Sequence, residues 1–298
     1  MPPPVQEWAG MWRGVVRGCA RLRRFYGAQG AAPGDGEALM VRTEAVARLP
    51  CLSARRECRV PAPGPAMGAE AAGGVEAPAA LARASFHGRA LPAHLISLES
   101  EEGQALAREA LARGWARGFF PLITNFASQS DVSMCGPASL AMVLNALRLD
   151  PGRTWRSPWR WWSDEMFACC EESLREMKSA GVTLELFDRL ARTLPELSVA
   201  TKHPGTLHDF HGDLVRAAAA PATHVVVSFG REALGQTGIG HFSPVAAVHP
   251  ERGLALVLDV ARFKYPPYWV RIDALHEAMR VPDPATGRAR GYCIITRA

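Results

Sequence analysis

The pattern of apolar and polar positions divides the chain into two unlike parts near residue 84. Residues 1–83 are rich in Ala, Gly, Pro and Arg, and segments such as PAPGPAMGAEAAGGVEAPAA offer little apolar surface to pack. Because such a chain cannot bury enough surface to offset its loss of conformational freedom, we predict a disordered extension. Residues 84–298 have the composition of a globular domain, and we predict one folded domain there.

Helical periodicity dominates the first half of this folded part. The apolar run from residue 138 to residue 147 covers most faces of a helix, which predicts a buried helix with Pro137 in its first turn. Ser100 and Thr183 stand as N-caps before two further runs, and Asp164 stands before a third that extends to residue 181. These runs predict helices that precede the β-rich part of the chain.

Runs rich in β-branched residues follow in the C-terminal third. They cover residues 223–231, 241–250, 254–262 and 291–298, and Gly-rich turns occur between them. Because the connections between the first three runs are short, we expect these strands to be antiparallel neighbours. Helices followed by a sheet predict an α+β fold with a helical lobe and a β-sheet lobe.

The charge of the chain lies mainly in the extension. The formal charge is +5, and residues 1–83 contribute +4 of it through eleven Arg against seven acidic residues. The folded part is therefore close to neutral and lacks the basic face that nucleic-acid binding requires. No apolar run is long enough to span a bilayer, so we expect neither nucleic-acid nor membrane partners.

The cysteines indicate a reducing compartment. There are seven of them, an odd number without regular spacing, which does not suggest a disulfide framework. We therefore expect a cytoplasmic protein with free thiols. The Arg-rich, acid-poor start of the chain leaves an organellar targeting segment within residues 1–83 as the alternative.

A cysteine, a histidine and an aspartate occupy positions that can form one catalytic site. Cys135 stands at the start of the predicted buried helix, where the helix dipole and free N–H groups favour a thiolate. His241 opens the second predicted strand and Asp259 ends the third, so adjacent antiparallel strands can bring them side by side. A thiol facing an imidazole that a third polar group orients is the papain-like arrangement. The alternative for Cys135 is a buried structural cysteine.

Gln129 and the remaining histidines need separate interpretation. Gln129 precedes Cys135 by six residues, the spacing at which papain-like enzymes place a side-chain amide in the oxyanion hole. His208 and His211 can share one helical face, but no second cluster completes a metal site, and we predict none. His249 lies at a strand end beside a proline, and we expect it to be exposed.

Three long segments resemble the catalytic domain of the phytochelatin synthase family. They read FPLITNFASQSDVSMCGPASLAMVLNALRLDPGRTWRSPWRWW, GQTGIGHFSPVAAV and LALVLDVARFKYPPYWV, and the similarity extends over residues 84–298. The positions that match the family's nucleophile, general base and acid, orienting carboxylate and oxyanion donor are Cys135, His241, Asp259 and Gln129. The resemblance implies a papain-like two-lobe fold, in which the helical lobe carries the nucleophile and the antiparallel sheet carries the His and the Asp.

The resemblance also implies the reaction. A member of this family is a glutathione γ-glutamylcysteinyltransferase, which forms a γ-Glu-Cys acyl-enzyme, releases glycine and passes the acyl group to a second glutathione. The products are (γ-Glu-Cys)n-Gly peptides that serve in heavy-metal detoxification. Cd²⁺ or Zn²⁺ acts as an activator mainly in the form of metal–glutathione thiolates, so we expect no tightly bound cofactor. A homodimer is one assembly to consider.

Three alternatives remain open from the sequence. Plant-type members continue into a Cys-rich C-terminal region that has no counterpart here, which makes hydrolysis of glutathione to γ-Glu-Cys and glycine the leading alternative. A general papain-like peptidase is the second. The third, a metal-buffering protein without turnover, is disfavoured because the cysteines form no C-x-C or C-x-x-C pairs. The adjacent Cys169 and Cys170 match a family pair, and we expect buried packing for them.

Candidate substrate-binding residues follow from the charges of glutathione. Its two carboxylates need basic partners, and Arg262 and Lys264 follow Asp259 closely enough to line the same cleft. A solvent-facing Arg262 is the alternative, because strand alternation would place it opposite Asp259. Gly240 ends a turn where the backbone can approach the acyl group. Trp159, in an Arg- and Trp-rich loop, is either part of a cleft wall or one of the indoles that pin the loop to the surface.

Overall fold

The computed structural model describes residues 88–167, residue 177 and residues 181–298. The predicted extension over residues 1–83, the Cys169–Cys170 pair and most of the predicted helix between residues 164 and 181 lie outside the described residues. The start of that predicted helix, Asp164–Phe167, forms a short 3-10 helix. Strands and α-helices of the described residues are numbered below in chain order.

A seven-stranded antiparallel sheet forms the centre of the fold. Its strands are β1 Ile96–Ser97, β2 Leu197–Lys202, β3 Thr223–Gly230, β4 Gly240–His249, β5 Leu254–Val257, β6 Tyr268–Arg271 and β7 Gly291–Arg297. Their order across the sheet is β1-β6-β5-β4-β3-β7-β2. The predicted runs form β3, β4, β5 and β7, and the predicted antiparallel pairing of β4 with both β3 and β5 is confirmed.

The third predicted run is shorter as a strand than its apolar pattern indicates. β5 ends at Val257, although the run continues to residue 262. The backbone N–H of Leu258 still donates to the carbonyl oxygen of Pro244 in β4, at 3.0 Å. Pro244 has no N–H to return, so the β4–β5 ladder stops here and the chain leaves the sheet. Asp259 therefore lies in the irregular segment after β5 rather than at the end of the strand.

Six α-helices of the described residues accompany the sheet. They are α1 Glu101–Ala112, α2 Phe119–Ile123, α3 Cys135–Ala146, α4 Leu184–Arg192, α5 Leu207–Ala218 and α6 Ile272–Arg280. Ser100 and Thr183 cap α1 and α4 as predicted, because their side-chain oxygens accept hydrogen bonds from backbone N–H groups of the first turn. Pro137 lies in the first turn of α3, also as predicted. No described helix has both the length and the apolar character that crossing a bilayer requires.

Apolar cores cover both faces of the sheet. Residues of α1, α3 and α4 pack on one face together with Val226, whereas residues of α5 and α6 pack on the other with Val225 and Val227. Because successive side chains of a strand point to opposite faces, β3 is buried on both sides, which accounts for its largely apolar sequence. The α+β class is confirmed. The helices do not all precede the sheet, however, since α5 and α6 alternate with strands.

Packing of the start of α3 against β4 positions the functional site. Every residue of α3 from Cys135 to Leu144 is buried. A Cβ at Gly136 would lie 2.9 Å from Cγ1 of Val182, so a glycine permits this close approach. Phe242 of β4 stacks on Phe187 of α4, with ring centroids 5.1 Å apart. These contacts hold the N-terminus of α3 beside the strand that carries His241.

Candidate active site

Cys135 and His241 line one cavity, where the start of α3 meets β4. The cavity has a volume of about 430 Å³, and Gln129, Arg231 and Lys264 also line it. Both Cys135 and His241 are buried. The fold therefore brings the predicted nucleophile and the predicted base together.

The thiol of Cys135 experiences opposing effects. Burial raises its pKa, whereas the backbone N–H groups of Phe242 and Gly136 and the charge of Arg231 lower the pKa. Burial has the largest effect, so the pKa of Cys135 lies above that of an ordinary thiol. The predicted preference for a thiolate at the helix N-terminus is therefore outweighed by burial, and Cys135 rests as a thiol.

His241 is held by a buried carboxylate. It is the second residue of β4, and its Nε2 lies 2.8 Å from Oδ1 of Asp259. Phe229 packs edge-on against the imidazole, with ring centroids 5.7 Å apart. Burial, together with the charge of Arg231, lowers the pKa of His241 to about 4 against the opposing effect of Asp259. The imidazole is therefore neutral at neutral pH, and Nδ1 is the ring nitrogen left to accept a proton.

A pair of buried charges lies behind His241. Arg231 donates from Nη1 to Oδ2 of Asp259 at 2.9 Å and from Nη2 to Oδ1 at 3.0 Å. Arg231 is 2% exposed and Asp259 is 0% exposed. Burial raises the pKa of Asp259, but His241 and Arg231 outweigh this effect and hold the pKa well below its usual range. Asp259 therefore stays ionised, and the two-point contact with Arg231 fixes its orientation.

Arg231 is a site residue that the sequence pattern did not lead us to predict. It directly follows β3, donates to Oε1 of Gln236 at 2.6 Å, and its guanidinium carbon lies 5.2 Å from the ring centre of Tyr265. A signal was nevertheless present, because an arginine that ends a buried strand needs a charged partner. Asp259 interrupts another apolar run, so the two interruptions could have been paired.

Gln129 lies in the loop before α3 and faces the cavity. Its backbone N–H donates to the carbonyl oxygen of Val260 at 2.9 Å, which ties this loop to the segment after Asp259. Its side-chain Nε2 donates to the carbonyl oxygen of Asp131 at 2.7 Å. Because an amide nitrogen carries two hydrogens, this bond orients the group and leaves a second donor. The position is compatible with the predicted oxyanion donor.

Another part of the cavity lining is a pair of opposite charges, Asp283 and Arg290. Nη1 of Arg290 lies 2.9 Å from Oδ2 of Asp283, and the Arg290 side chain is 4% exposed. Nε of Arg290 is buried and has no hydrogen-bond partner among the described residues. Neither residue was predicted, because both flank an irregular segment without hydrophobic periodicity. Their common position becomes visible only in three dimensions.

The sequence of the chain matches one known family over most of its length. The model of the family described as phytochelatin synthase matches residues 86–292. The chain belongs to the phytochelatin synthase family. The resemblance of the three motifs is thereby confirmed.

Curated relatives in the phytochelatin synthase family match the same part of the chain. Glutathione gamma-glutamylcysteinyltransferase 1 of Triticum aestivum is 44% identical over 72% of this chain and 43% of its own length. Glutathione gamma-glutamylcysteinyltransferase 2 of Arabidopsis thaliana is 41% identical over 73% of this chain and 48% of its own length. The glutathione gamma-glutamylcysteinyltransferase of Schizosaccharomyces pombe is 38% identical over 71% and 51%. The chain thus spans about half the length of the curated relatives it matches.

Two of the predicted substrate-binding residues of this phytochelatin synthase family member line the cavity. Lys264 donates from Nζ to the carbonyl oxygen of Thr237 at 2.8 Å, and burial lowers its pKa. Gly240 lines the cavity as well, and the structure adds a second reason for a glycine there. A Cβ at this position would lie 2.4 Å from Nη1 of Arg290, so Gly240 leaves room for that guanidinium.

The other two, Arg262 and Trp159, do not line the cavity. The neighbours Ala261, Phe263 and Lys264 do, but Arg262 lies among them in a turn and is not part of the lining. The guanidinium carbon of Arg262 lies 4.8 Å from the ring centre of Phe126 instead. Trp159 is 69% exposed, in a tight turn that brings it opposite Arg156. Neither residue therefore lines the cavity that contains Cys135.

The histidines outside the cavity differ from the prediction in one case. His249, expected to be exposed, is 2% exposed. Its Nε2 lies 2.9 Å from Oε2 of Glu109, and its ring lies 5.3 Å from that of Trp115, so neighbouring elements cover the strand end. His208 and His211 line a separate surface groove. Within residues 88–167, 177 and 181–298, no group of three or more His, Cys, Asp or Glu side chains is arranged to hold a metal ion.

Proposed function

We propose that the chain is a glutathione γ-glutamylcysteinyltransferase that works through a thioester on Cys135. The proposal depends on one observation: a single cavity contains a thiol, an imidazole beside a carboxylate, and a separate pair of opposite charges. Membership of the family and the names of its relatives support the reaction. A thiol at a helix start beside an imidazole on a sheet is compatible with the papain-like two-lobe arrangement and a Cys-His-Asp triad.

In the first half-reaction, the thiol of Cys135 attacks the Cys–Gly peptide bond of glutathione. Nδ1 of His241 accepts the thiol proton as the sulfur bonds to the carbonyl carbon. The side-chain amide of Gln129 and the backbone N–H of Cys135 donate to the oxyanion, and one such donor contributes about 100- to 1000-fold to kcat. His241 then returns the proton to the glycine nitrogen, the C–N bond breaks, and glycine leaves.

Proton transfer coincides with attack, because the resting pair is a neutral thiol and a neutral imidazole. Asp259 keeps the proton on Nε2 of His241, so that Nδ1 remains the acceptor. Arg231 holds Asp259 at two points and touches neither the thiol nor the substrate in this mechanism. We assign it as a positioning residue.

The Asp283–Arg290 pair supports recognition of the γ-glutamyl end of glutathione. Because the glutamyl residue is linked through its γ-carboxyl group, its α-ammonium and α-carboxylate lie free on one carbon. The unpartnered Nε of Arg290, in the described part of the chain, can donate to the α-carboxylate, and Asp283 can accept from the α-ammonium. An internal residue of an ordinary peptide carries neither group, so the pair favours glutathione over protein substrates.

In the second half-reaction, the amine of a second glutathione, or of a growing (γ-Glu-Cys)n-Gly chain, attacks the thioester carbonyl. Nδ1 of His241 accepts the amine proton, the C–S bond breaks, and the proton returns to Cys135. Lys264, which faces the cavity, is the candidate partner for a carboxylate of the acceptor. In this proposal Cd²⁺ or Zn²⁺ is bound by the acceptor thiols and belongs to the substrate.

Product analysis tests the proposed reaction. The purified full chain is incubated with glutathione, with and without Cd²⁺, and the products are identified by mass spectrometry. We expect free glycine and (γ-Glu-Cys)n-Gly peptides from the parent and from Cys293→Ala, and none from Cys135→Ala. Glycine with γ-Glu-Cys alone would mean that water is the acceptor and that the chain is a hydrolase. Without any glycine release, the acyl-enzyme mechanism is wrong.

A further inference from the structure

A second cavity lies against α3 and shares no lining residue with the active cavity. Its volume is about 240 Å³. Three indole side chains of the Trp-rich loop line it together with apolar residues of α3; the indoles are Trp155, Trp161 and Trp162. We call it the indole cavity. The proposed reaction assigns no function to these three indoles.

Two polar groups of the indole cavity have no partner. Nε1 of Trp155 and Oγ of Ser163 are buried, and neither has a hydrogen-bond partner among the described residues. Trp162 differs, because its Nε1 donates to the carbonyl oxygen of Leu149 at 2.9 Å and so anchors the loop. A buried N–H without an acceptor is costly. Each of the two groups lacks the kind of acceptor that a carboxylate or carbonyl oxygen of a ligand supplies.

The charged residues of the indole cavity are acidic. Asp164 and Glu165 line it, and within the described part of the chain no Lys or Arg does. Both oxygens of Asp164 already accept backbone hydrogen bonds, from Ser130 at 2.7 Å and from Glu165 at 2.9 Å. The side chain of Glu165 is exposed and supplies the accessible negative charge. Indole faces also attract cations, so the surroundings favour a positively charged group on the ligand.

We propose that the indole cavity binds a small α-amino acid as its zwitterion. The carboxylate accepts hydrogen bonds from Nε1 of Trp155 and Oγ of Ser163, and the ammonium lies near Glu165 and the indole faces. The cavity is smaller than pockets for drug-sized ligands, which measure about 300–1000 Å³. This size favours glycine or alanine, and the acidic residues disfavour aspartate and glutamate. The site is separate from the proposed reaction, although glycine is a product of that reaction.

NMR of the indole N–H groups tests the proposal directly. Glycine is added to the full chain, labelled with ¹⁵N at tryptophan and alkylated with iodoacetamide to block Cys135. We expect the Trp155 indole resonance, assigned with Trp155→Phe, to shift saturably at millimolar glycine. The resonance of Trp159, which is 69% exposed and outside the cavity, should not move. An unmoved Trp155 resonance would overturn the proposal.

Two variants and two ligand fragments separate what the ammonium and the carboxylate of glycine each contribute to binding. Glu165→Gln removes the negative charge, and Trp155→Phe removes the donor but keeps an aromatic wall; each should weaken glycine binding, followed at Trp161, by about tenfold. Trp159→Phe is the matched control and should bind glycine like the parent. Acetate lacks the ammonium and methylamine lacks the carboxylate, so both should bind more weakly than glycine.

Equal binding of acetate and glycine, or unchanged binding in both variants, would show that the cavity does not recognise a zwitterion. Glycine release from glutathione is measured separately on the unalkylated chain. If the unalkylated chain releases no glycine, the proposed function is contradicted but the result for the indole cavity is unaffected. The two proposals can therefore fail independently.

Discussion

The two charge pairs of the active cavity differ in what they leave unbound. Behind His241, the oxygens of Asp259 accept hydrogen bonds from both Nη groups of Arg231 and from the backbone N–H of Ala261, and Oδ1 lies 2.8 Å from Nε2 of the imidazole. In the Asp283–Arg290 pair, Nε of Arg290 is buried and has no partner within the described residues. We call Arg231–Asp259 the closed pair, because its donors and acceptors have partners within the protein, and Asp283–Arg290 the open pair, because Nε of Arg290 has none within the described residues. We infer that the closed pair fixes catalytic geometry and that the open pair binds substrate.

Desolvation explains why the difference matters. A buried ion pair is stable only when most of its donors and acceptors are satisfied, and Arg231 with Asp259 meets this condition without any ligand. An unsatisfied donor on Arg290 weakens the folded protein but strengthens its affinity for a carboxylate, since binding then replaces no existing bond. Four predictions separate the two pairs.

Breaking the closed pair should have the largest effect. Arg231→Met leaves Asp259 as a buried carboxylate without its main partner, which should lower the free energy of unfolding by about 3–5 kcal/mol. Asp259 can then turn away from His241, so glycine release from glutathione should also fall sharply. Urea unfolding and the glycine assay measure the two effects. Arg262→Met, which removes a guanidinium outside the cavity, is the control, and equal behaviour of the two variants would refute the closed-pair description.

Burial of His241 beside the closed pair should also make the free energy of unfolding depend on pH. The pKa of His241 is lowered from 6.5 to about 4 in the fold, so between these values the unfolded chain binds the extra proton. Stability from this group is complete above pH 6.5 and is lost as pH falls towards 4, by on the order of 3 kcal/mol. Burial lowers the pKa of His224 to about 4, which adds a dependence of the same sign.

Unfolding free energies measured across this pH range check the assignment to His241. His241→Gln should show a smaller rise in stability with pH than the parent, because only His224 and weaker groups then contribute. Arg290→Met should keep the parental slope. An unchanged slope in His241→Gln would mean that His241 is not protonated on unfolding.

Removing the guanidinium of the open pair should weaken substrate binding. Arg290→Met removes the proposed donor to the α-carboxylate and should raise KM for glutathione by about tenfold to a hundredfold, with a smaller change in kcat. Steady-state kinetics of glycine release measures both constants. Arg288→Met is the control, since its side chain is 72% exposed and lies two positions away. A lower kcat at unchanged KM would assign Arg290 to catalysis instead.

The smallest effect should come from crowding the open pair. In Gly240→Ala the new Cβ overlaps the guanidinium of Arg290, which must shift from Asp283. We expect KM to rise by about fivefold, equivalent to ~1 kcal/mol. Gly205→Ala adds its Cβ 4.0 Å from its nearest neighbour, Asp209, and should leave KM unchanged. If both variants have the parental KM, Gly240 does not set the position of Arg290.

The residues around the closed pair were easier to predict from the sequence than those of the open pair. Cys135 and His241 each begin a predicted element and Asp259 interrupts an apolar run, and a nucleophile, a base and a carboxylate are few enough to combine on chemical grounds. Arg231, a charged residue directly after the apolar run of β3, could have been predicted as the partner of Asp259 in the same way. The paired runs β3, β4 and β5 followed from short connections between apolar segments.

Other features of the site depend on contacts between distant parts of the chain and could not be predicted from the sequence. Asp283 and Arg290 belong to a segment without periodicity, so nothing local marks them as a pair. The end of β5 depends on Pro244 in the neighbouring strand, and Arg262 consequently lies in a turn rather than in the strand. The pKa of Cys135 depends on burial by elements distant in sequence, which outweighs the local effect of the helix N-terminus.

The most direct test of the proposed mechanism is the mass of the intact protein after a rapid acid quench with glutathione, under reducing conditions. The proposed mechanism predicts a covalent adduct of glutathione minus glycine, located on Cys135 and absent from Cys135→Ala and His241→Gln. An adduct with the mass of whole glutathione, an adduct on another residue, or glycine release without any adduct on Cys135 at any quench time would contradict it.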